Sequence, residues 1–276
     1  MNIEDRVLVA ELCAARAGLK IDPEKTYFLE SRLAPVARRE GFVSIVDMVD
    51  ALRNRSEERL VWAVVEALAA GETAFFRDRE PFRLFRDVVL PTLAKRVESR
   101  PIRVWSAACG SGQEVYSLAI EVDEHRAQLG GAKIELFASD LSERALEKAQ
   151  SGLFTQFEVQ RGLPIRRLVA HFEKVDEMWA IAPKIRQMVR WRRVNLVSEF
   201  SGGAQFDVIF CRHVLGSLIE PMQVRVIENL ARALAPDGFL FLSEGEAPTG
   251  FAKALTPVAG APGLFVRNPA WRAAAA

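Results

Sequence analysis

Val104-Trp105-Ser106-Ala107-Ala108-Cys109-Gly110-Ser111-Gly112-Gln113-Glu114-Val115 starts as a strand, turns at Gly-x-Gly and continues as a helix. Glycines at such a turn let the backbone approach a ligand and leave N–H groups exposed at the helix start. A dinucleotide fingerprint needs a third glycine three residues after Gly112, and that position is Val115. The turn therefore suits S-adenosylmethionine better than NAD, since no pyrophosphate has to be seated. A tight turn with no ligand is the competing reading of Gly-x-Gly alone.

Downstream, 134–139 predicts a second strand, which ends at Asp140, and 142–150 a helix. Rossmann-like folds place an acid at that strand end on ribose hydroxyls. The competing role for Asp140 is an N-cap, which Ser142 can supply instead. Glu114, in the first turn of its helix, is favoured there by the helix dipole and is placed to meet a cationic ligand group. Residues 206–211 and 239–242 predict two more strands, with a helix over 221–234 and a turn at Pro236-Asp237-Gly238. Strands alternating with helices mean a parallel α/β sheet. Residues 175–181 and 185–191 read as an antiparallel pair around Ala182-Pro183-Lys184, and 252–258 with 264–267 as a closing hairpin.

Upstream, the first hundred residues hold no convincing strand. Helical spacing covers 3–17, 23–39 (with Asp22-Pro23 as its start), 44–52, 56–71 and 79–98. The chain of 276 residues carries 37 Lys and Arg against 36 Asp and Glu, for a net charge of +1. That balance excludes binding of nucleic acid through an overall basic field. Three separated cysteines, with no CxxC, exclude a disulfide scaffold and suit a reducing compartment. His125, His171 and His213 lack ligand spacing, so no metal is expected. The acidic start is no signal peptide, and no apolar run approaches the ~20 residues of a membrane span. A cytoplasmic monomer without membrane insertion is expected.

Residues 105–119 resemble the signature of the chemotaxis receptor methyltransferases, the CheR family. Thr73-Ala74-Phe75-Phe76-Arg77 is similar to that family's interdomain segment. Residues 138–142, 146–149, 151–154, 194–196, 206–212, 236–240 and 243–244 follow in the family's order, so the resemblance spans roughly residues 20–267. It implies an α/β fold: a Rossmann-like class I S-adenosylmethionine-dependent methyltransferase domain over 101–270, with a small antiparallel β-subdomain inserted at about 171–191. An all-α domain over 1–72 and a linker helix over 73–100 would precede it. It also implies transfer of a methyl group to glutamate side chains on chemoreceptor cytoplasmic helices, leaving S-adenosylhomocysteine.

Carried over by motif, Thr73, Arg77, Ala108, Gly110, Gly112, Glu114, Asp140, Asn195, Leu196, Arg212 and His213 would line the cofactor. Arg77, Arg212 and Ser217 would face the acceptor. A carboxylate acceptor is already ionised at pH 7, so it needs orientation and a counter-charge rather than a base. Arg77 is the candidate cation, because guanidinium grips carboxylates bidentately, and the cofactor's own carboxylate is its alternative partner. The family usually has Asn at 213, Tyr at 217 and Asn at 71, where this chain has His213, Ser217 and Gly71. A non-catalytic cofactor-binding relative, or an enzyme for another acceptor, are the competing readings. Lys25, Arg32, Arg38 and Arg39 form a basic helix face that in the family meets the acidic methylation region and is otherwise an ordinary solvated face. The insert is short and lacks a Gly-rich loop, which resembles members that need no receptor tail peptide.

Overall fold

The computed structural model describes residues 1–55, 57–96, 100–199, 205–247 and 253–271. The chain divides into two compact units. One holds residues 1–70 and 214–223, the other 71–213 and 224–276.

The first unit is built from α1 (Ile3–Ala17), α2 (Thr26–Arg39), α3 (Ile45–Arg55) and α4 (Glu58–Ala69). Asn2 and Asp5 cap α1 reciprocally, which satisfies two amide donors that no helical carbonyl can reach. The Asp5 carboxylate is buried and pairs with Arg53 at 2.8 Å. Val9, Cys13, Leu29, Leu33, Val64 and Val65 are fully buried, as the helical spacing requires. Helix α2 starts later than residue 23. Asp22 Oδ1 accepts the Glu24 N–H, so Asp22-Pro23 makes a turn of its own before the helix begins. Residues 214–223 join this unit through an antiparallel bridge between Leu19 and Leu218, where Lys20 N donates to Ser217 O at 2.7 Å.

The second unit opens on α5 (Glu80–Leu84), a π-helical turn at Phe85–Val89 and α6 (Leu90–Ala94). The helix expected over 79–98 is thus present as one continuous helical run over residues 80–94 with a π turn in its middle, and 97–99 lie outside the described residues. Pro91 has no N–H to offer the preceding turn, which favours the wider π spacing just before it. Then follow β1 (Ile102–Ala107), α7 (Gln113–Glu124), β2 (Ile134–Asp140), α8 (Glu143–Ser151), β3 (Leu153–Thr155), α9 (Gln156–Gln160), α10 (Ile165–His171), β4 (Phe172–Val175), β5 (Met178–Ile181), α11 (Pro183–Arg186), β6 (Val189–Arg193), β7 (Phe206–Phe210), α12 (Glu220–Ala233), β8 (Leu234–Phe241), β9 (Leu255–Pro257) and β10 (Leu264–Arg267).

The main sheet runs β6-β2-β1-β7-β8-β10-β9, parallel from β6 to β8 and closed by the expected antiparallel hairpin β9–β10. Val104, Trp105, Val208 and Ile209 are buried, so both faces of the parallel part are covered. Two expectations need correction. Pro236-Asp237-Gly238 is no turn but an irregularity within β8, where the register with β7 shifts between Phe206 and Val208. Residues 185–191 do not pair with 175–181. Their strand, β6, lies parallel to β2 in the main sheet. The inserted sheet is β3-β5-β4 instead, so it starts at Leu153. Two short apolar runs around a proline cannot disclose their partners by periodicity.

Candidate functional site

The strand order reverses direction at β1, with β2 on one side and β7 on the other. In open α/β sheets, ligands bind outside the carboxyl ends of the strands at such a switch point. The glycine turn after β1, Asp140 closing β2, Asn195 after β6 and Arg212-His213 after β7 all fall at those ends.

Ala108, Gly110 and Gly112 have φ of 60°, 56° and 96°. The turn is therefore left-handed at alternate residues, which explains the two glycines. Gly110 N donates to Asp140 Oδ2 at 2.8 Å, and Ser142 N to Asp140 Oδ1 at 2.9 Å. Asp140 thus holds the glycine turn and the start of the α8 connection. Ser142 takes the capping role, accepting from Ala145 N. Val194 N donates to the Asp140 carbonyl at 3.0 Å, which brings the Asn195-Leu196 loop to the same strand end. Leu196 is buried, and its carbonyl accepts from Asn229. Thr73 lies against the turn: a Cβ on Gly110 would stand 3.4 Å from its Cγ2.

Glu114 accepts from Ser106 Oγ at 2.9 Å and from Arg212 Nη1 at 3.0 Å. The Arg212 side chain is 1% exposed and also reaches Asp78, so it bridges two carboxylates. Its Nε is buried, and no described atom accepts from it. The Arg77 guanidinium donates to the Glu72 carbonyl at 2.7 Å, and among the described residues no carboxylate pairs with it. His213 Nε2 lies 2.8 Å from Asp78 Oδ2. Asp78, Ser106 and Ser117 were not singled out from sequence. Asp78 directly follows the Thr-x-Phe-Phe-Arg stretch, and that adjacency was the available signal.

Ser217 falls in the other unit, where its hydroxyl donates to Val214 O at 2.6 Å. Lys25, just before α2, and Arg38 and Arg39 at its end are exposed, while Arg32 is half-buried over the Phe28 ring.

The donor set fits a ligand with a ribose, a cationic group and a carboxylate. Asp140 and Glu114 supply acceptors, and the orphaned Nε of Arg212 supplies a buried donor. At the C-terminal end of α7, Glu121, Glu124 and His125 stand close enough to share a cation. Arg167 already reaches Glu121 at 2.9 Å and Glu124 at 2.6 Å, so counter-charge is present without a metal. Burial pushes the Glu124 carboxyl up, but hydrogen bonds from Arg167 and His171 outweigh it and hold the group below its usual value. At the opposite, amino end of β1, a cleft of about 320 Å³ is lined by Arg96, Arg100, Lys133 and Asp207. Asp207 is buried and takes both guanidiniums and the Arg103 N–H, which ties this end of the sheet shut.

Burial pushes the thiols of Cys109 and Cys211 well up and that of Cys13 to about 12. None is poised as a nucleophile. Maleimide at pH 7 is expected to label none of the three within minutes in the native chain and all of them in urea. Rapid native labelling of Cys109 would contradict its burial.

A family model described as the CheR methyltransferase SAM binding domain matches residues 71–260, and one described as the CheR methyltransferase all-alpha domain matches residues 5–69. The chain is 32% identical over 264 residues to the chemotaxis protein methyltransferase Cher2 of Pseudomonas putida, covering 94% of each chain. It is 33% identical over 266 residues to chemotaxis protein methyltransferase 1 of Pseudomonas aeruginosa, covering 95% of each. Among solved structures, a TehB-like SAM-dependent methyltransferase from Corynebacterium glutamicum covers 70% of this chain and 97% of its own, at 15% identity and a TM-score of 0.37.

Proposed function

Because this chain belongs to the CheR methyltransferase family, we propose that it methylates glutamate side chains on the cytoplasmic helices of a chemoreceptor, giving glutamate methyl esters. S-adenosylmethionine, when bound, supplies an electrophilic methyl group on sulfur. Asp140 would hold its ribose hydroxyls, Glu114 its ammonium group, and the loop at Asn195-Leu196 its base, with Thr73 and the glycine turn beside them. Arg212 fixes Glu114 from a buried position. Arg77, with a guanidinium that no described carboxylate claims, would orient the acceptor.

A glutamate carboxylate is ionised at neutral pH, its usual pKa being about 4.3. No residue of the chain has to remove a proton. With the cofactor held by Asp140, Glu114 and the Asn195-Leu196 loop, the chain would have to aim an acceptor carboxylate oxygen at the methyl group from the side opposite the sulfur. The chain's part is in-line placement, exclusion of water and a positive charge beside the acceptor. The observation that supports this reading is that Asp140 holds the left-handed glycine turn at the switch point while Arg212 joins Glu114, in the helix that follows the turn, to the Arg77 carbonyl. No helix among the described residues is long and apolar enough to cross a membrane.

The test is methyl-labelled cofactor with the cytoplasmic fragment of a receptor encoded in the same genome. Base-labile label, released as methanol, is expected on glutamate. Cofactor binding by calorimetry without transfer to any such receptor would overturn the reading and favour a non-catalytic relative.

Gly112→Ala should weaken S-adenosylhomocysteine binding at least tenfold. The residue sits at φ 96°, and a Cβ there would stand 3.0 Å from Ala149 Cβ and 3.2 Å from Tyr116 Cε2. Both neighbours are fully buried, so the turn itself has to move. The strain is about 1–3 kcal/mol. Calorimetry on the variant checks it, and unchanged affinity would remove the turn from the site.

A further inference from the structure

Residues 76–79 adopt a conformation that their own sequence disfavours. Phe76, Asp78 and Arg79 have φ of 48°, 65° and 49°, and none is glycine. Such residues persist only where their surroundings over-determine them, and they cluster where strain serves placement. Four contacts do so here. Phe76 N donates to Ser117 Oγ at 2.9 Å, and that hydroxyl donates to Gln113 O at 2.7 Å in the first turn of α7. Arg212 Nη2 donates to the Arg77 carbonyl at 3.0 Å and to Asp78 Oδ2. His213 Nε2 reaches that same Asp78 oxygen at 2.8 Å. His213 is itself left-handed at φ 59°, and its N–H points to Ser243 Oγ at 3.0 Å and Glu246 Oε2 at 2.8 Å.

An ionised carboxylate only accepts, so a hydrogen bond to Asp78 requires the Nε2–H form of His213, whose Nε2 also stands 3.5 Å from Arg212 Nη2. The Asp78 oxygen therefore gathers one donor from a buried guanidinium and one from an imidazole, both carried by the end of β7. Arg77 stands between the two gripped positions. Its carbonyl is held by Arg212, while its side chain donates, among the described residues, to the Glu72 carbonyl alone.

We propose that Asp78 is a positioning residue for methyl transfer, and that it acts with His213 to lock the 76–79 turn so that Arg77 presents its guanidinium to the acceptor. The proposal rests on the reading of Arg77 as the acceptor-orienting cation. His213 is in this view the second half of a clamp, and the imidazole does what a shorter side chain at that position could not do: it spans the gap to Asp78.

The variants Asp78→Asn and His213→Asn isolate the clamp. Asn tolerates the left-handed region better than most residues, so neither change adds backbone strain. Asn at 78 loses the charge, and Asn at 213 loses the reach. Each is expected to lower kcat for receptor methylation about tenfold, and in Asp78→Asn the calorimetric Kd for S-adenosylhomocysteine stays within twofold. The double variant should be no worse than the poorer single one, because both remove the same lock. Hydrogen exchange provides a readout that does not depend on turnover: the peptide covering 74–80 should exchange at least tenfold faster in either variant. Multiplicative losses in the double variant, cofactor affinity falling in step with kcat in Asp78→Asn, or unchanged exchange at 74–80 would each overturn the proposal. If the unmodified protein transfers no methyl group to receptors, the functional reading fails. Exchange at 74–80 in the two variants then still decides whether the clamp exists.

Discussion

Arg212→Met is expected to destabilise the second unit by about 2–4 kcal/mol and to weaken S-adenosylhomocysteine binding at least tenfold. The Arg212 side chain is 1% exposed and lies between Glu114, 13% exposed, and Asp78, 52% exposed. Removing one partner of a buried pair costs about 3–5 kcal/mol, because the remaining charge is stranded. Asp78 is half in solvent and recovers its hydration, so the loss extends about 1 kcal/mol below that range. Glu114 keeps only the Ser106 hydroxyl among its two named partners and must either move or drag water inward. Methionine fills much of the volume over the Phe82 ring, where the guanidinium lies 5.6 Å from the ring centre. The measured loss therefore reports charge more than cavity. Arg212→Lys is expected to fail as well. It keeps the charge but cannot reach both carboxylates and the Arg77 carbonyl from one planar group. Urea unfolding with calorimetry checks both variants. A stability change below about 0.5 kcal/mol in Arg212→Met would mean that the bridge is ornamental.

What was legible in the sequence follows from how far apart the interacting residues lie. The β1–turn–α7 stretch is local. Strand, glycine turn and helix start are written in consecutive residues, and the structure places them as read. Asp140 was legible as a strand-end acid, and Ser142 does cap the next helix. That Asp140 also carries Gly110 N was not legible, because that contact spans 30 residues. The bridge of Arg212 to Asp78 spans 134 residues and leaves no periodic trace at all. The helix expected over 79–98 is there over residues 80–94, but its π turn was not legible. Its apolar spacing is helical throughout, and the π turn at Phe85–Val89 ahead of Pro91 widens one turn without ending the helix. Strand β6 failed because a parallel partner such as β2 is indistinguishable, from sequence alone, from an antiparallel neighbour.

Gly162→Ala is expected to be the most damaging single-methyl change in the second unit, at about 3–5 kcal/mol, although residue 162 stands outside every motif. Gly162 has φ of 88°, and a Cβ there would lie 2.0 Å from the Phe75 carbonyl oxygen and 3.2 Å from its carbon. Backbone, unlike the end of a side chain, cannot swing aside. The loop after α9 or the segment around Phe75 has to shift bodily. Phe75 is fully buried, with edge-to-face contacts to Phe154 at 5.0 Å and Phe172 at 5.5 Å. Phe76, next to it, lies under the Arg167 guanidinium at 4.3 Å. Any shift therefore breaks aromatic packing between the inserted sheet and the residues that lead into Arg77, so methyl transfer should fall together with stability. Gly131→Ala is the matched control. Its φ is 86°, but nothing stands within 4 Å of the added Cβ. It should cost only the left-handed penalty of about 1 kcal/mol. The difference between the two variants in urea midpoint isolates the collision from the backbone strain. Equal costs at 162 and 131 would show that the inserted loop moves freely over Phe75, and that the approach of the two backbones does nothing to place Arg77.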